Sequence, residues 1–191
     1  MELEEAIIGR RSVRKFLNKP VPKEKIQKIL DLSVWAPSGM NTQNWYFVVI
    51  MGEKVDKVRQ VAKKSFEQYI RASLNKMYPD RPEIVDYNSK FSANLGGASV
   101  VVCVYRSPTV EGDLTDLQSV AAAIQNFMLV SYQEGLGACW MIGPVHLAEE
   151  IDKITGVNDK KLQAVIPVGY PDGSFPVPRR KEGRFEWIGW D

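Results

Sequence analysis

The sequence predicts a single domain, residues 1–191, in which helices alternate with short apolar strands, and three observations carry that expectation. The chain has 191 residues, which suits one domain with a substantial core or one protomer of an intertwined oligomer. Hydrophobic residues make up 45% and charged residues 25%, the balance of a soluble globular protein rather than a disordered one. Along the chain, apolar positions switch between helical spacing and unbroken runs of strand length.

The elements follow in order. Ile26, Ile29, Leu30 and Val34 recur at helical spacing after Pro22, and Pro37 stops that helix. Trp45 to Met51 reads as a strand, with Phe47-Val48-Val49-Ile50 too continuously apolar for an exposed edge. Val55, Val58, Ala62, Phe66 and Tyr69 make a second amphipathic helix. From 71 to 94 the pattern degrades around Tyr78-Pro79-Asp80-Arg81-Pro82. This stretch reads equally as a lid or variable insertion and as a plain surface excursion.

Ala98 to Tyr105 is a second buried strand. Thr115 with Gln118 fits a capping box at the start of the most hydrophobic helix, Val120 to Tyr132, which runs apolar on nearly every face until Gly135. Such a helix belongs in a core or in the seam of a dimer, and the chain length favours the seam. Ala138 to Ile142 and Gln163 to Val168 complete the strands, with a short helix from Leu147 to Gly156. No internal repeat is present. Beyond Gly169, an arm over 171–191 holds Pro171, Pro176 and Pro178 together with Phe175, Phe185, Trp187, Ile188 and Trp190. Prolines bar regular structure, while that much aromatic surface is costly in water at ~25 cal/mol per Å². The arm must therefore lie against a surface, its own protomer's or a partner's.

Composition excludes several function classes. Lys plus Arg total 25 against 23 Asp plus Glu, a net charge of +2, so there is no electrostatic case for nucleic acid. Cys103 and Cys139 lie in apolar surroundings without metal or redox spacing, which points to a reduced, cytoplasmic protein. Met1-Glu2-Leu3-Glu4-Glu5 is acidic where a secretory signal is basic. No window reaches the roughly 18 apolar residues of a membrane span. A single histidine, His146, removes most zinc sites and nearly every Ser-His or Cys-His hydrolase. Redox or group-transfer chemistry in such a chain falls to a bound organic cofactor.

Two candidate binding features remain. Arg10-Arg11-Ser12-Val13-Arg14 and Arg179-Arg180-Lys181 read as a phosphate clamp, since guanidinium forks match phosphate oxygens and a hydroxyl completes the shell. Either cluster alone also fits a solvated basic turn. Between a helix end and a buried strand, Ala36-Pro37-Ser38-Gly39-Met40-Asn41-Thr42-Gln43-Asn44-Trp45 offers neutral donors and acceptors on an irregular loop. It can serve as a plain polar turn or pair with a heteroaromatic edge carrying carbonyls and an N–H.

These blocks resemble the FMN-dependent nitroreductase family. Arg10 to Phe16, Ala36 to Trp45, Glu134-Gly135-Leu136-Gly137, and Val165 to Pro171 ahead of Arg179-Arg180-Lys181 occur in that family's order across the chain. The resemblance implies an α+β fold, a central, mostly antiparallel sheet flanked by helices, built as an intertwined homodimer with two FMN at the interface. By position, Arg10, Arg11, Ser12, Arg14, Arg179 and Arg180 would hold the phosphate and part of the ring. Pro37, Ser38, Gly39, Asn41 and Gln43 would reach the flavin from the other protomer, and the amides of Met141, Ile142 and Gly143 would approach its N5 region. Lys181 is less firmly placed.

The activity implied is ping-pong hydride transfer from NADH or NADPH to a small acceptor such as a nitroaromatic, quinone or flavin. The flavin performs the chemistry, so no catalytic side chain is implied. A non-catalytic FMN-binding or storage protein and a deiodinase-like reductive dehalogenase are the alternatives. Asn44 stands where the family often has proline, and Cys139-Trp140-Met141-Ile142-Gly143 holds no threonine to support dehalogenation.

Overall fold

The computed structural model describes residues 2–190, so Met1 and Asp191, the two ends of the expected domain and arm, lie outside the described residues. A four-stranded sheet, β1 (Trp45–Met51), β2 (Val100–Arg106), β3 (Gly137–Ala138) and β4 (Lys161–Gly169), is ordered β1-β2-β4-β3. Every neighbouring pair is antiparallel. Among the described residues seven α-helices surround it: α1 (Leu3–Gly9), α2 (Lys23–Ser33), α3 (Glu53–Ser65), α4 (Arg71–Met77), α5 (Pro82–Asn94), α6 (Asp113–Gln133) and α7 (Ala148–Thr155).

The period-2 alternation of the strands divides the core into two layers. Val100, Val102 and Val104 with Ala164, Ile166 and Val168 pack toward α2 and α6, on Ile29, Ile124 and Phe127. Val101, Cys103 and Tyr105 with Leu162 and Val165 pack the other way, on Val55, Val58 and Ala62 of α3 and Ile151 of α7. A strand covered on both faces must be apolar throughout, which is why β2 has no polar face. Its last residue, Arg106, is buried as well, held by Asp113 and Asp116 at 2.6 and 3.1 Å.

Several boundaries differ from the sequence reading. The central helix starts at Asp113 after Gly112, whose φ is +85°, and Thr115 is not its cap. Asp116 turns back instead, accepting from the Thr109 amide and hydroxyl at 3.0 and 2.6 Å and tying down the preceding loop. The strand expected at Ala138 to Ile142 shrinks to Gly137–Ala138 plus one bridge, Met141 to Val165, and a 3₁₀ turn follows at Gly143–Leu147. The stretch 71–94 is neither irregular nor extended but forms α4 and α5. Helix α1 has no counterpart among the elements expected from the sequence; its start is fixed locally by the Glu2 amide donating to the Glu5 carboxylate at 3.2 Å. After Gly169 the described residues of the arm form no helix, and no strand beyond a bridge from Pro171 to Phe16. Among the described residues no helix is long and apolar enough to cross a membrane.

Candidate functional site

The basic segment at 10–14 is nailed to the sheet edge by its apolar members. Val13 and Phe16 are buried with Ala98, and Phe175 of the arm packs against them. The Val13 amide donates to Ala138 O at 3.0 Å and the Phe16 amide to Gly96 O at 2.9 Å. Gly137 permits this approach, since a Cβ there would stand 2.5 Å from Val13 Cγ2. With Val13 turned inward, its neighbours diverge. Arg10 and Arg11 border a hollow with Tyr132, Leu136 and Phe175, whereas Arg14 borders a separate cavity with Phe91 and Met141.

The two arginines of the hollow differ in their partners. Arg11 is engaged by carbonyls, donating to Ile8 O at 2.6 Å, Arg10 O at 2.8 Å and Pro176 O at 3.1 Å. It thereby fastens the arm to the basic segment. Arg10 Nε is buried with no acceptor among the described residues. Burial, then the positive charges of Arg11 and Arg180, lower the Arg10 pKa from its ordinary value. An anion placed beside such a cluster would favour its charged form. Arg179, Arg180 and Lys181 lie exposed together, and Ser12 is exposed too.

The polar loop is locally strained. Met40, Asn41 and Gln43 adopt left-handed φ of 48°, 55° and 46°, uncommon for residues with a Cβ and typical of binding loops. The geometry is held by the Gln43 amide donating to Ser38 Oγ at 3.0 Å and by Gln43 Nε2 donating to Asn41 Oδ1 at 3.0 Å. The Gly39 amide donates to Ser119 Oγ of α6 at 3.2 Å, and a Cβ on Gly39 would sit 2.2 Å from Thr115 Cγ2. Asn44, in the place where a proline was noted as common, is buried, and its carbonyl accepts the Ser107 amide at 2.8 Å. Pro37 is exposed beside the loop.

At 139–143, Met141 exchanges amide hydrogen bonds with Val165 at 3.1 and 2.9 Å, which anchors the strip. Ser65 Oγ donates to Gly143 O. The amides of Ile142 and Gly143 have no backbone acceptor among the described residues. The strip and Arg14 wall a cavity of ≈ 200 Å³ whose far side is Phe66, Ile70, Asn88, Phe91 and Ser92. The sequence reading did not name these five as site residues. Asn88 and Ser92 stand four apart, a helical spacing that would have put both on one face once α5 was recognised.

The structure thus brings Arg10 to Arg180, and Arg14 to Met141, Ile142 and Gly143. It does not bring the loop at 37–43 to the Arg10 hollow. The loop touches α6 at Thr115 and Ser119, while the Arg10 hollow touches it at Met128 and Tyr132. At 1.5 Å per residue these points are roughly 20 Å apart along the helix.

The family model for the nitroreductases, "Nitroreductase family", matches residues 7–170. A BluB-like flavoprotein from Clostridium difficile 630 superposes with a TM-score of 0.81 at 29% identity, covering 98% of this chain and 99% of that one. The FMN-dependent nitroreductase NfnB from Mycobacterium smegmatis, solved in complex with NADPH, gives a TM-score of 0.77 at 23% identity over 96% of this chain and 97% of that one. The iodotyrosine deiodinase of Thermotoga neapolitana is 27% identical over 91% of this chain and 90% of its own length.

Proposed function

This chain belongs to the Nitroreductase family, and on that premise we propose that it is an FMN-dependent oxidoreductase passing electrons from NADH or NADPH to a small acceptor. The observation that carries the reading is Arg10, whose buried Nε has no acceptor and whose charge is crowded by Arg11 and Arg180. A phosphate dianion would satisfy that donor and relieve the repulsion. Arg10, Arg180 and Ser12 would hold the phosphate, joined by Arg179. Arg11, already engaged by three carbonyls, would hold the arm in place around it.

Arg14 and the amides of Ile142 and Gly143 would face the ring, offering positive charge and hydrogen bonds where negative charge develops on reduction. Bound FMN supplies reversible two-electron chemistry, taking a hydride from a nicotinamide and returning electrons to a nitroaromatic, quinone or flavin in ping-pong order. The protein's part is to position the reactants and keep water from them. Pro37, Ser38, Gly39, Asn41 and Gln43 lie too far along α6 to reach the Arg10 hollow of their own protomer. A two-fold pairing would bring this pre-shaped loop to the partner's flavin, so the working unit is a homodimer. Exposed Trp35, Met40, Leu117 and Ile142 supply apolar surface for such a pairing.

The test is the visible spectrum of the pure protein followed by NAD(P)H oxidation with a quinone or nitroaromatic acceptor. A bound oxidised flavin and acceptor-dependent turnover are expected. A colourless protein that takes up no FMN would overturn the reading, and a yellow one without turnover would make it a flavin store.

A further inference from the structure

Arg14, the residue proposed to face the flavin ring, is weakly held by its own side-chain contacts. Its guanidinium donates to Ser12 O at 3.4 Å, a long bond, and lies 5.8 Å from the centroid of the Phe91 ring. A cation held so loosely takes its position from the backbone beneath it and the wall beside it. Both are tied to one turn, residues 94–98, at the junction of α5 and β2.

The turn is wound left-handed. Leu95, Gly96 and Gly97 adopt φ of 52°, 66° and 80°, and the Asn94 side chain accepts the Gly96 amide at 2.8 Å. This winding presses Gly96 onto the basic segment: its carbonyl accepts the Phe16 amide at 2.9 Å, and a Cβ on it would stand 2.5 Å from Arg14 O. The Leu95 amide donates to Phe91 O, so the residue carrying the ring beside Arg14 is bound to the same turn. A left-handed leucine is uncommon and persists only where its surroundings enforce it. Arg59 of α3 does so here. Its Nε donates to Asn94 O at 3.1 Å and its Nη2 to Ala98 O at 2.9 Å, so one planar fork closes both ends of the turn. Nη1 donates to Asp56 of the same helix at 2.5 Å, which aims the fork. Arg59 does not line the cavity beside Arg14.

We propose that Arg59 is a positioning residue for Arg14: by bracketing the turn at 94–98 it keeps the Arg14 backbone and Phe91 in register, and so sets where the arginine's charge meets the flavin ring. The proposal rests on the oxidoreductase reading above. A positive group stabilises a reduced ring most when it is already in place and need not reorganise. A slack turn would therefore blunt Arg14 without removing its charge. The phosphate end is served elsewhere, by Arg10 in the hollow on the other side of Val13.

The experiment makes Arg59→Ala and Arg59→Lys in the natural chain and again beside Arg14→Ala, and reads FMN and riboflavin binding, the two-electron potential of bound FMN, and hydrogen exchange at the Phe16 amide. Losing the charge-assisted bonds to Asn94 O and Ala98 O in Arg59→Ala is expected to weaken FMN and riboflavin alike, about threefold to tenfold, since the ring is served and not the phosphate. The potential is expected to fall by about 15–30 mV, the two-electron equivalent of a threefold to tenfold loss for the reduced flavin relative to the oxidised. Beside Arg14→Ala the same substitution is expected to change binding and potential by no more than about twofold, because its effect passes through Arg14. Lysine keeps the charge but cannot fork, so Arg59→Lys is expected to lie between. Exchange at the Phe16 amide is expected to speed up about tenfold while β2 is unchanged.

A loss for FMN that spares riboflavin, a potential that does not move, a loss as large beside Arg14→Ala, or unaltered exchange would each overturn the proposal. If Arg59→Ala does not fold, Arg59→Lys carries the same comparison under the same criteria. An unmodified protein that binds neither FMN nor riboflavin would instead overturn the oxidoreductase reading and the role of Arg14 with it. The exchange measurement, which needs no flavin, would still decide whether Arg59 braces the segment that carries Arg14.

Discussion

Strand β2 and the arm after Pro176 are both rich in large apolar side chains, yet they end in opposite environments. Every residue of β2 is buried, covered by α6 on one face and α3 on the other. In the arm, Phe185, Trp187, Ile188 and Trp190 are each at least 68% exposed, with the aromatic rings touching one another edge-on rather than any core. Apolar side chains at neighbouring positions of a strand find two surfaces within one chain; the arm finds none in its own protomer. The difference teaches that one protomer completes its own core yet leaves the end of the arm uncovered, which is the surface the proposed homodimer would bury.

The strongest way to break this comparison is to remove the arm from Gly183 onward. At ~1.5 to 3 kcal/mol for each large apolar side chain buried, losing Phe185, Trp187 and Trp190 from an interface is expected to weaken dimerisation by several orders of magnitude. FMN affinity is expected to fall in step, with the thermal stability of the core unchanged. Light scattering and flavin fluorescence on one sample check both. A truncated protein that stays dimeric and yellow at low micromolar concentration would show that the arm does not bridge protomers.

Phe127→Ala probes the other half. Phe127 is fully buried on the α6 face of the sheet and stacks with Phe47 at 6.2 Å. Its truncation is expected to cost about 3–5 kcal/mol in urea unfolding. A smaller loss than that would mean the α6 layer is less closely packed than β2 suggests.

Arg10→Ala sharpens the distinction between fold and site. A hydrogen bond to a charged group contributes about 1.5–3 kcal/mol, so FMN binding is expected to weaken roughly 10- to 150-fold. Riboflavin, without the phosphate, is expected to feel little. Equal losses for both ligands in a fluorescence titration would move Arg10 from the phosphate to the ring or the fold.

The smallest effects are expected at the residues that look most reactive. Burial raises the Cys139 thiol pKa against the opposing pull of Arg14 and Arg10, and pushes Cys103 up to about 12. Both are therefore protonated and inert near neutral pH. Cys139→Ser and His146→Ala are each expected to keep turnover within about tenfold, below the 10² to 10⁴ typical of a general acid or base. A thousandfold fall in kcat with flavin still bound would give that residue a chemical role.

Local patterns carried the sequence reading wherever a property repeats along the chain. Alternation and continuous apolar runs marked β1, β2 and β4, and helical spacing at Ile26 and Ile29 or Val55 and Val58 marked α2 and α3. The arginine clusters and the amide-rich turn stand out by composition, but each also fits a plain surface turn, and only the resemblance to the nitroreductase family ties them to one candidate site. Boundaries set by distant contacts were not legible. Asp116 is bonded to Thr109 and Arg106 across the loop before α6, and beyond Ala138 the strand meets β4 again only at the Met141–Val165 bridge.

The order of the sheet, the inward turn of Val13 that separates Arg10 from Arg14, and the approach of Asn88 and Ser92 to Met141 were decided only in three dimensions. So was the roughly 20 Å of α6 that keeps the loop at 37–43 from its own protomer's Arg10. Sequence encodes what each segment can bury or bind through its own side chains. Which segments meet depends on the joint packing of all of them, a property no single stretch of this chain contains.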